Sequence, residues 1–293
     1  MKSKENKVIG VISAIVLVFV ALICAVPFLI IISASLSQES EIMKFGYSLF
    51  PRGFSFDAYK MLFAAPGPLL KAYGVTTFTT IVGTALSMVG TVMMAYPLSR
   101  PTFRWRGFIN LYMFLTMLLS GGAVASYLVI CNVLHLRDNI MVLIWPGFVS
   151  AWNTILIRTF MTKDLSSYIE AAKIDGASEY MILFLIVTPL IKTGIAVILL
   201  KAMIGRWGKW YECLMYMPKE KYVTLQYYLQ KILTSVKGVQ EQAEAGLYVS
   251  TGDLPRETVR MAICVAATAP MLIAITPFQK YFVRGINLGG VKG

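Results

Sequence analysis

Charge is scarce in this chain. Of its 293 residues, 57% are hydrophobic and only 14% are charged, whereas soluble domains carry about 25% charged residues. This composition argues against a water-soluble globule and predicts one polytopic membrane domain over residues 1–293. The net charge of +12 comes from basic residues placed mostly beside apolar segments, not gathered in one stripe. We therefore expect no nucleic-acid partner.

Residues for metal or covalent chemistry are also few. The four cysteines form no C-x-x-C pair, and the single histidine, His135, has no companion for a metal site or a Ser-His relay. A phosphate-binding loop is absent, because Gly208-Lys209 is followed by Trp210. G-x-S-x-G, H-E-x-x-H and paired-carboxylate patterns are missing too. We expect a non-catalytic chain with no metal and no cofactor of its own.

Acidic side chains are missing from the cores of all the long apolar segments. Carriers driven by proton or ion gradients usually bury such groups as relays and coupling sites. Their absence favours a protein that takes its energy from a partner. Serine, threonine and backbone carbonyls can still bind sodium, so a secondary carrier or channel not coupled to ATP stays open as the alternative.

Six segments are long and apolar enough to cross a bilayer, which takes about 20 residues. They are 8–36, 73–98, 108–130, 140–160, 183–204 and 259–282. Basic residues mark the cytoplasmic side: the N-terminal lysines, the loop with Arg100, Arg104 and Arg106, and the tail with Arg284 and Lys292. The sequence thus predicts an all-α integral membrane protein with six transmembrane helices and both termini in the cytoplasm.

Two polar segments between spans stand out in this topology. The longer one, 205–257, faces outward and is rich in aromatic residues, which are typical of membrane interfaces. The shorter one, 163–182, faces the cytoplasm and carries four acids. Acids suit a protein partner better than an anionic lipid surface, although an amphipathic connector lying on the membrane is the alternative.

The cytoplasmic segment 163–182 has the pattern of two short helices joined by a glycine, and we call it the elbow. Residues 167–170 read Ser-Tyr-Ile-Glu, the form of a capping box, so the first helix is predicted to begin at Tyr168. Gly176 is expected to close it in the left-handed conformation. Ser178 is expected to cap the second helix. The pattern predicts a rigid docking element.

The elbow resembles a known family signature. Membrane subunits of bacterial ABC importers carry E-A-A-x-x-x-G, nine variable residues and I-x-L-P. The matching residues here are Glu170, Ala171, Ala172, Asp175, Gly176, Ala177, Ile186 and Pro189. The chain departs at Thr188, where leucine is usual. Thr188 precedes a helix proline, and its hydroxyl is expected to satisfy backbone groups that the proline frees.

The resemblance extends over nearly the whole chain. The ending 277–285 resembles the F-Q-K-Y-F-x-x-G of carbohydrate importer permeases, which have the type I permease fold. The stretch 207–216 and the loop after it are similar to the branch that handles complex oligo- and polysaccharides. Within that branch, the chain is similar to the smaller permease subunit of alginate importers.

This resemblance implies a multi-pass protein of the bacterial cytoplasmic membrane. It implies a second permease subunit as heterodimer partner, two cytoplasmic ATPase subunits that bind ATP and Mg, and an extracytoplasmic solute-binding protein. The implied substrate is an oligo- or polysaccharide, acidic if alginate-like. The implied ATPase-coupling residues are Glu170, Ala171, Ala172, Asp175, Gly176, Ala177 and Pro189.

Candidates for the substrate path come from residue type and depth. Sugar sites combine aromatic faces with amides and hydroxyls, and the midspan residues of this kind are Ser120, Ser126, Tyr127, Trp152 and Asn153. Each is also explained by packing or by hydrogen bonding between helices. Lys192 joins them if the solute is acidic; otherwise it extends to the inner headgroups. Lys201 is expected to anchor the outer end of its span.

Overall fold

The protein is described by a computed structural model that covers residues 2–64, 66–161, 165–244 and 256–281. Arg284 and Lys292 of the predicted tail, the end of the closing motif (282–285) and residues 163 and 164 of the elbow lie outside the described residues. So does 245–255 of the outward segment. Within the described ranges the chain is helical, and the isolated bridge between Ser37 and Phe54 is the one strand-like pairing there. The all-α expectation is confirmed.

The helices follow one another along the described chain without a sheet between them. They are α1 Lys2–Ser35, α2 Glu39–Phe45, α3 Asp57–Leu62, α4 Pro66–Ser99, α5 Arg106–Leu118, α6 Gly122–Leu128, α7 Met141–Ile144, α8 Ala151–Met161, α9 Ser166–Ile174, α10 Glu179–Met181, α11 Thr188–Leu190, α12 Lys192–Trp207, α13 Tyr211–Tyr216, α14 Leu225–Glu244 and α15 Glu257–Ile275. Wider π-helical turns extend α6 over Val129–Val133 and α10 over Ile182–Val187, and a 3₁₀ turn, Thr276–Phe278, follows α15.

Three helical stretches in the described residues are long and apolar enough to cross a membrane: Ile9–Ser35, Pro66–Ser99 and Glu257–Tyr281. Two more candidates are helix pairs bent at a short break. Arg106–Leu118 and Gly122–Val133 meet at 117°, and Glu179–Leu190 and Lys192–Trp207 meet at 83°. The described part of the chain thus holds three candidate spans, or five if each bent pair counts as one.

The breaks correct the picture of the middle spans as continuous helices. At the first break, Leu119 has extended backbone (φ −99°, ψ 121°) and Gly122 has a φ of 77°. At the second, Ile191 leaves the helical conformation (φ −95°, ψ 14°). The segment predicted as a fourth span, 140–160, holds two short helices, α7 and α8, with a non-helical connection at 145–150. Hydropathy averaged over a span is insensitive to a turn whose residues are all apolar.

The chain forms two compact units, Met1–Leu69 with Leu229–Pro270, and Leu70–Tyr228 with Met271–Gly293. In the first unit, the Glu39 carboxylate accepts hydrogen bonds from the Glu257 and Thr258 amides, both at 2.9 Å, and from the Thr258 hydroxyl at 2.8 Å. Burial raises the pKa of Glu39, but the hydrogen bonds from Thr258 and Glu257 outweigh burial and hold the pKa below its usual value. One side chain of α2 thus caps α15.

In the second unit, α4 packs through a stripe of small hydroxyl residues spaced three or four apart. They are Thr76, Thr80, Thr84, Ser87 and Thr91, each less than 5% exposed. Small residues let the backbones of neighbouring helices approach closely, and they are enriched where helices pack against each other inside a membrane. By contrast, none of the most apolar stretch of α1 is buried within the chain, which leaves that helix for lipid or a partner.

Candidate functional site

The elbow folds around Gly176, as the sequence predicts. Gly176 has a φ of 78°, the left-handed region that glycine enters without penalty. Its amide donates to the Lys173 carbonyl at 3.1 Å, and the Ala177 amide donates to the Ala172 carbonyl at 2.9 Å. These two bonds form a Schellman motif, which satisfies carbonyls at the end of α9 and turns the chain sharply.

The start of α9 differs from the prediction. The helix begins at Ser166, with Leu165 as its N-cap and no capping hydrogen bond from a side chain, so the predicted capping box at Ser167 and the start at Tyr168 are wrong. Leu165 is 7% exposed and lies in a buried apolar cluster with Ile169. Packing of Leu165 sets where the helix starts, which moves Ser167 into the first turn.

The second helix of the elbow is capped as expected and is also tied to α4. The Ser178 hydroxyl accepts from the Met181 amide at 3.3 Å. The two carboxylate oxygens of Glu179 have different partners: Oε2 accepts from the Tyr96 hydroxyl at 2.5 Å, and Oε1 pairs with Lys173 Nζ at 2.6 Å. One carboxylate therefore joins the end of α9, the start of α10 and the end of α4.

The two faces of the elbow differ. Ile169 and Ala172 face inward, at 4% and 7% exposure, and pack in one cluster with Ala95 of α4 and Ile157 of α8. Ala172 therefore seats the elbow against this chain's own core. Glu170, Ala171, Asp175 and Gly176 are exposed, and Ala177 is partly exposed.

An apolar side chain stands out on the exposed face. Ile174 is 86% exposed, between the acids Glu170 and Asp175 in sequence. A single exposed apolar side chain is common on protein surfaces, so Ile174 does not by itself identify a partner. The elbow is thus fixed to its own chain on one face and offers acids and one large apolar side chain on the other.

Behind the elbow, Thr188 and Pro189 lie just before the 83° bend. Thr188 Oγ1 donates to the Leu183 carbonyl at 2.8 Å, across a π-helical turn. Proline at 189 leaves free the carbonyl four residues before it, that of Leu185, whereas the Thr188 hydroxyl bonds the Leu183 carbonyl. The expectation that Thr188 satisfies a group freed by the proline therefore stays a prediction. Pro189 is exposed in α11, and Lys192, also exposed, is the first residue of α12 after the bend.

The predicted substrate-path residues fall into two groups. Ser120 and Ser126 both bond to the Gly122 backbone at the 117° bend, and Tyr127 stacks on Tyr216 with ring centroids 5.9 Å apart. Trp152 and Asn153 belong to α8. No hydrogen bond or ring contact joins the first group to the second among the described residues.

On α8, the half-exposed Trp152 ring has a cation as its neighbour. Lys201 Nζ of α12 lies 5.4 Å from the Trp152 ring centroid, and Lys201 is itself exposed. Asn153, by contrast, is 9% exposed. A half-exposed indole with an ammonium group beside it can stack on a sugar ring and attract a carboxylate. Lys201 is thus the cation next to Trp152. The sequence suggested Lys192 as a path cation for an acidic solute, and that suggestion stays a prediction.

Sequence reasoning missed a second cation, Arg206. It is 7% exposed at the end of α12, where its guanidinium donates to the carbonyls of Ile144 at 3.1 Å and Gly147 at 3.3 Å. A Cβ on Gly83 of α4 would lie 2.6 Å from Arg206 Nη1. Arg206 thus fixes the α7–α8 connection, and α8 carries Trp152. Two features of the sequence could have pointed to Arg206. It closely follows the apolar segment 183–204, and the predicted span 73–98 contains a glycine, Gly83, that leaves room for a large side chain.

The chain is similar over nearly its whole length to two proteins of known sequence. No family model matches the chain. It is 36% identical to the polygalacturonan/rhamnogalacturonan transport system permease protein YtcP of Bacillus subtilis (strain 168), over 94% of this chain and 96% of that protein. It is 34% identical to Protein LplC of the same organism, over 99% of this chain and 97% of that one.

A solved structure agrees with the sequence relatives. It is described as the crystal structure of a bacterial ABC transporter involved in the import of the acidic polysaccharide alginate. One of its chains matches with a TM-score of 0.78 and 29% identity, covering 95% of this chain and 98% of that one. The similarity therefore extends over nearly the whole length of both chains.

Proposed function

Because the chain belongs to the permease subunits of carbohydrate ABC importers, we propose that it forms half of a sugar path and receives the force of ATP hydrolysis through its elbow. The observation that carries this proposal is the two-sided construction of the elbow. Its inner face is packed and hydrogen-bonded to α4 and α8, while Glu170, Ile174 and Asp175 face outward. A rigid element of this kind transmits movement of a partner to the spans.

The partners follow from what the chain lacks and what it exposes. It carries no phosphate-binding loop, so two cytoplasmic ATPase subunits supply ATP and Mg binding, and one of them receives the elbow. A second permease subunit completes the path, and α1, whose apolar stretch is unburied, is available to it or to lipid. An extracytoplasmic solute-binding protein delivers the sugar to the outward segment 205–257.

The proposed topology has six passes through the bacterial cytoplasmic membrane, with both termini in the cytoplasm. Three long helices and two bent pairs account for five passes. The sixth is the α7–α8 segment, where Arg206 donates to the Ile144 and Gly147 carbonyls at the non-helical connection. Irregular backbone is tolerated at membrane depth when protein satisfies it. The loop with Arg100, Arg104 and Arg106 then lies on the same side as the elbow.

The substrate class we propose is an acidic oligo- or polysaccharide. Relatives named for polygalacturonan/rhamnogalacturonan and alginate support this class. The pairing of Trp152 with Lys201 supports it in the structure, because an aromatic face with an adjacent ammonium group matches a sugar ring that carries a carboxylate. Arg206 donates to the Ile144 and Gly147 carbonyls and so helps to position the connection that leads into α8, the helix that carries Trp152.

The test is reconstitution of the whole transporter with Glu170→Arg in this chain. We expect normal membrane insertion and subunit assembly, with loss of the ATP hydrolysis that substrate-loaded binding protein stimulates. Asp57→Arg is the matched control, since it makes the same charge reversal on an exposed residue of α3. Wild-type stimulation in the Glu170→Arg transporter would refute coupling through the elbow. Uptake driven by an ion gradient without any ATPase would refute the transporter class.

A further inference from the structure

Arg100, the first residue after α4, presents two buried donors that the described chain leaves without an acceptor. Its guanidinium carbon lies 4.7 Å from the Tyr96 ring centroid, which fixes the plane of the group. Nε and Nη2 are both buried and have no hydrogen-bond partner among the described residues. These two atoms are the side-on pair of parallel N–H donors, which fits two oxygens of one phosphate or carboxylate.

The cavity beside Arg100 has an excess of positive charge. Its volume is about 450 Å³, and its polar lining residues are Tyr96, Arg100, Thr102, Lys173, Glu179 and Tyr180. Glu179 is the one carboxylate among them, and both of its oxygens already have partners in Lys173 and Tyr96. Glu179 is therefore already paired and does not compete for Arg100, so an anionic group that enters the cavity can accept from the Arg100 donors.

A second cavity, about 550 Å³, adjoins the first and is lined by apolar residues throughout. The two cavities share Met93, Pro97 and Phe103. The second one extends back along α4 as far as Val89, eleven residues before Arg100, or about 16 Å at the rise of an α-helix. This length is close to the hydrocarbon depth of one leaflet, about 15 Å.

We propose that these two cavities bind one anionic phospholipid. Its phosphate accepts from Nε and Nη2 of Arg100 near Lys173, and one acyl chain lies in the apolar cavity along α4. A carboxylate from a partner protein would satisfy the Arg100 donors but would leave the leaflet-long apolar cavity without an occupant. Because Arg100 directly follows α4 and Lys173 belongs to the elbow, the lipid contacts both sides of the joint between them. The proposal uses the orientation given above, in which this end of α4 meets an anionic leaflet.

The test measures lipid retained by the purified transporter complex in nanodiscs of phosphatidylcholine, with or without phosphatidylglycerol. Bound phosphatidylglycerol is quantified by native mass spectrometry for wild type, Arg100→Gln and Arg104→Gln. We expect Arg100→Gln to weaken phosphatidylglycerol binding on the order of tenfold, the loss expected for charge-assisted hydrogen bonds. Arg104→Gln is the matched control, because Arg104 is exposed in the same loop and lines neither cavity. It should bind like wild type.

A second variant guards against misfolding of the first. Val89→Trp fills the far end of the apolar cavity and leaves the charges intact, so it should also lower phosphatidylglycerol retention while the melting temperature stays near that of wild type. Equal retention in all variants would overturn the proposal. Displacement of phosphatidylglycerol by inorganic phosphate alone would overturn it in favour of a small-anion site.

One more outcome would assign the Arg100 donors to a protein partner. If Arg100→Gln released the ATPase subunits and left phosphatidylglycerol binding unchanged, a partner carboxylate would be the occupant and the lipid proposal would fall. None of these readouts needs sugar uptake or ATP hydrolysis. Failure of the lipid site is therefore distinguishable from failure of the proposed transport function.

Discussion

The Tyr96 hydroxyl donates to Oε2 of Glu179 at 2.5 Å and so joins the end of α4 to the first turn of α10. The ion pair of Glu179 with Lys173 has side chains 55% and 49% exposed, and ion pairs in water contribute little. The Tyr96 bond is partly buried and spans 83 residues of sequence. In the proposed coupling, this hydrogen bond is the polar contact through which motion of the elbow would reach α4.

Tyr96→Phe tests this contact. The phenyl ring keeps the packing, and the partly exposed Glu179 returns to water, so the loss is that of one hydrogen bond, about 1 kcal/mol. We expect the protein to fold and assemble. The number of ATP molecules hydrolysed per sugar imported should change about fivefold, because 1 kcal/mol corresponds to about a fivefold ratio. Paired measurements of sugar uptake and phosphate release on one reconstituted preparation give this ratio.

Tyr180→Phe is the control for this prediction. Tyr180 lies on the same elbow, is 70% exposed, and its hydroxyl can bond to water in either state. Its removal should leave the ratio of ATP hydrolysed to sugar imported at the wild-type value. If Tyr96→Phe also left that ratio unchanged, the force would reach α4 through apolar packing alone.

The bend of the elbow gives a second prediction. Gly176 has a φ of 78° and no atom near the position of a Cβ, so a substitution there is opposed by backbone strain and not by a clash. Gly176→Val places a β-branched residue in the left-handed region, whereas asparagine tolerates it. We expect Gly176→Val to abolish coupled ATP hydrolysis and Gly176→Asn to retain most of it. Gly107→Ala, in open space on α5, should behave like wild type.

The elbow also shows which parts of the site could be predicted from sequence. Gly176 and Ser178 were found because turn and cap chemistry depends on residues a few positions apart. The start of α9 was missed because Leu165 is held by a cluster that includes α4 and α8 residues distant in sequence. Tyr96 was missed for the same reason, since its partner Glu179 is 83 positions away.

The bends inside two of the predicted spans were missed for a different reason. The apolar composition of 108–130 and 183–204 was enough to identify membrane segments, but the bends at Gly122 and Ile191 depend on single backbone conformations. Lys201 was expected only as an anchor at the outer end of its span, and Arg206 was missed. Their contacts with Trp152 and with the Ile144 and Gly147 carbonyls depend on how α12 packs on α8 and its preceding connection.

The Trp152–Lys201 pair leads to a third prediction, on substrate selectivity. Lys201→Met removes the ammonium group but keeps most of the side-chain volume. We expect import of an acidic oligosaccharide such as oligogalacturonate to fall about tenfold, the value of one charge-assisted hydrogen bond. Lys201→Arg should retain acidic-sugar import because the charge stays beside the indole. Uptake of labelled oligosaccharides into proteoliposomes that contain the full transporter measures this effect.

Lys192→Met is the matched comparison for this prediction. Lys192 is also an exposed lysine of α12, nine residues earlier at the bend. We expect it to leave the preference for acidic sugars unchanged. The opposite result, with selectivity lost in Lys192→Met and kept in Lys201→Met, would move the acidic-sugar contact from the α8 side to the bend.

The last prediction concerns pH and the cap that Glu39 makes on α15. Because the folded-state pKa of Glu39 is held below its usual value of 4.5, the carboxylate stabilises the fold fully above that usual value. The contribution is lost as the pH falls through the lower folded-state pKa. Glu39→Gln removes the charge that accepts from Glu257 and Thr258, and we expect it to cost about 2 kcal/mol at neutral pH.

The measurement is the apparent Tm of the purified complex from neutral pH down to about pH 2, well below the ordinary glutamate pKa. Wild type should lose stability in acid, and Glu39→Gln should start lower at neutral pH and lose less, so that the two curves approach each other as Glu39 becomes protonated. Glu41→Gln controls for loss of a carboxylate on the same helix, since Glu41 is also in the first turn of α2, and its side chain is not seen to cap α15 as that of Glu39 does. Its curve should run parallel to that of wild type. Parallel curves for Glu39→Gln and wild type would show instead that the acid sensitivity arises elsewhere and that the cap on α15 does not depend on the charge of Glu39.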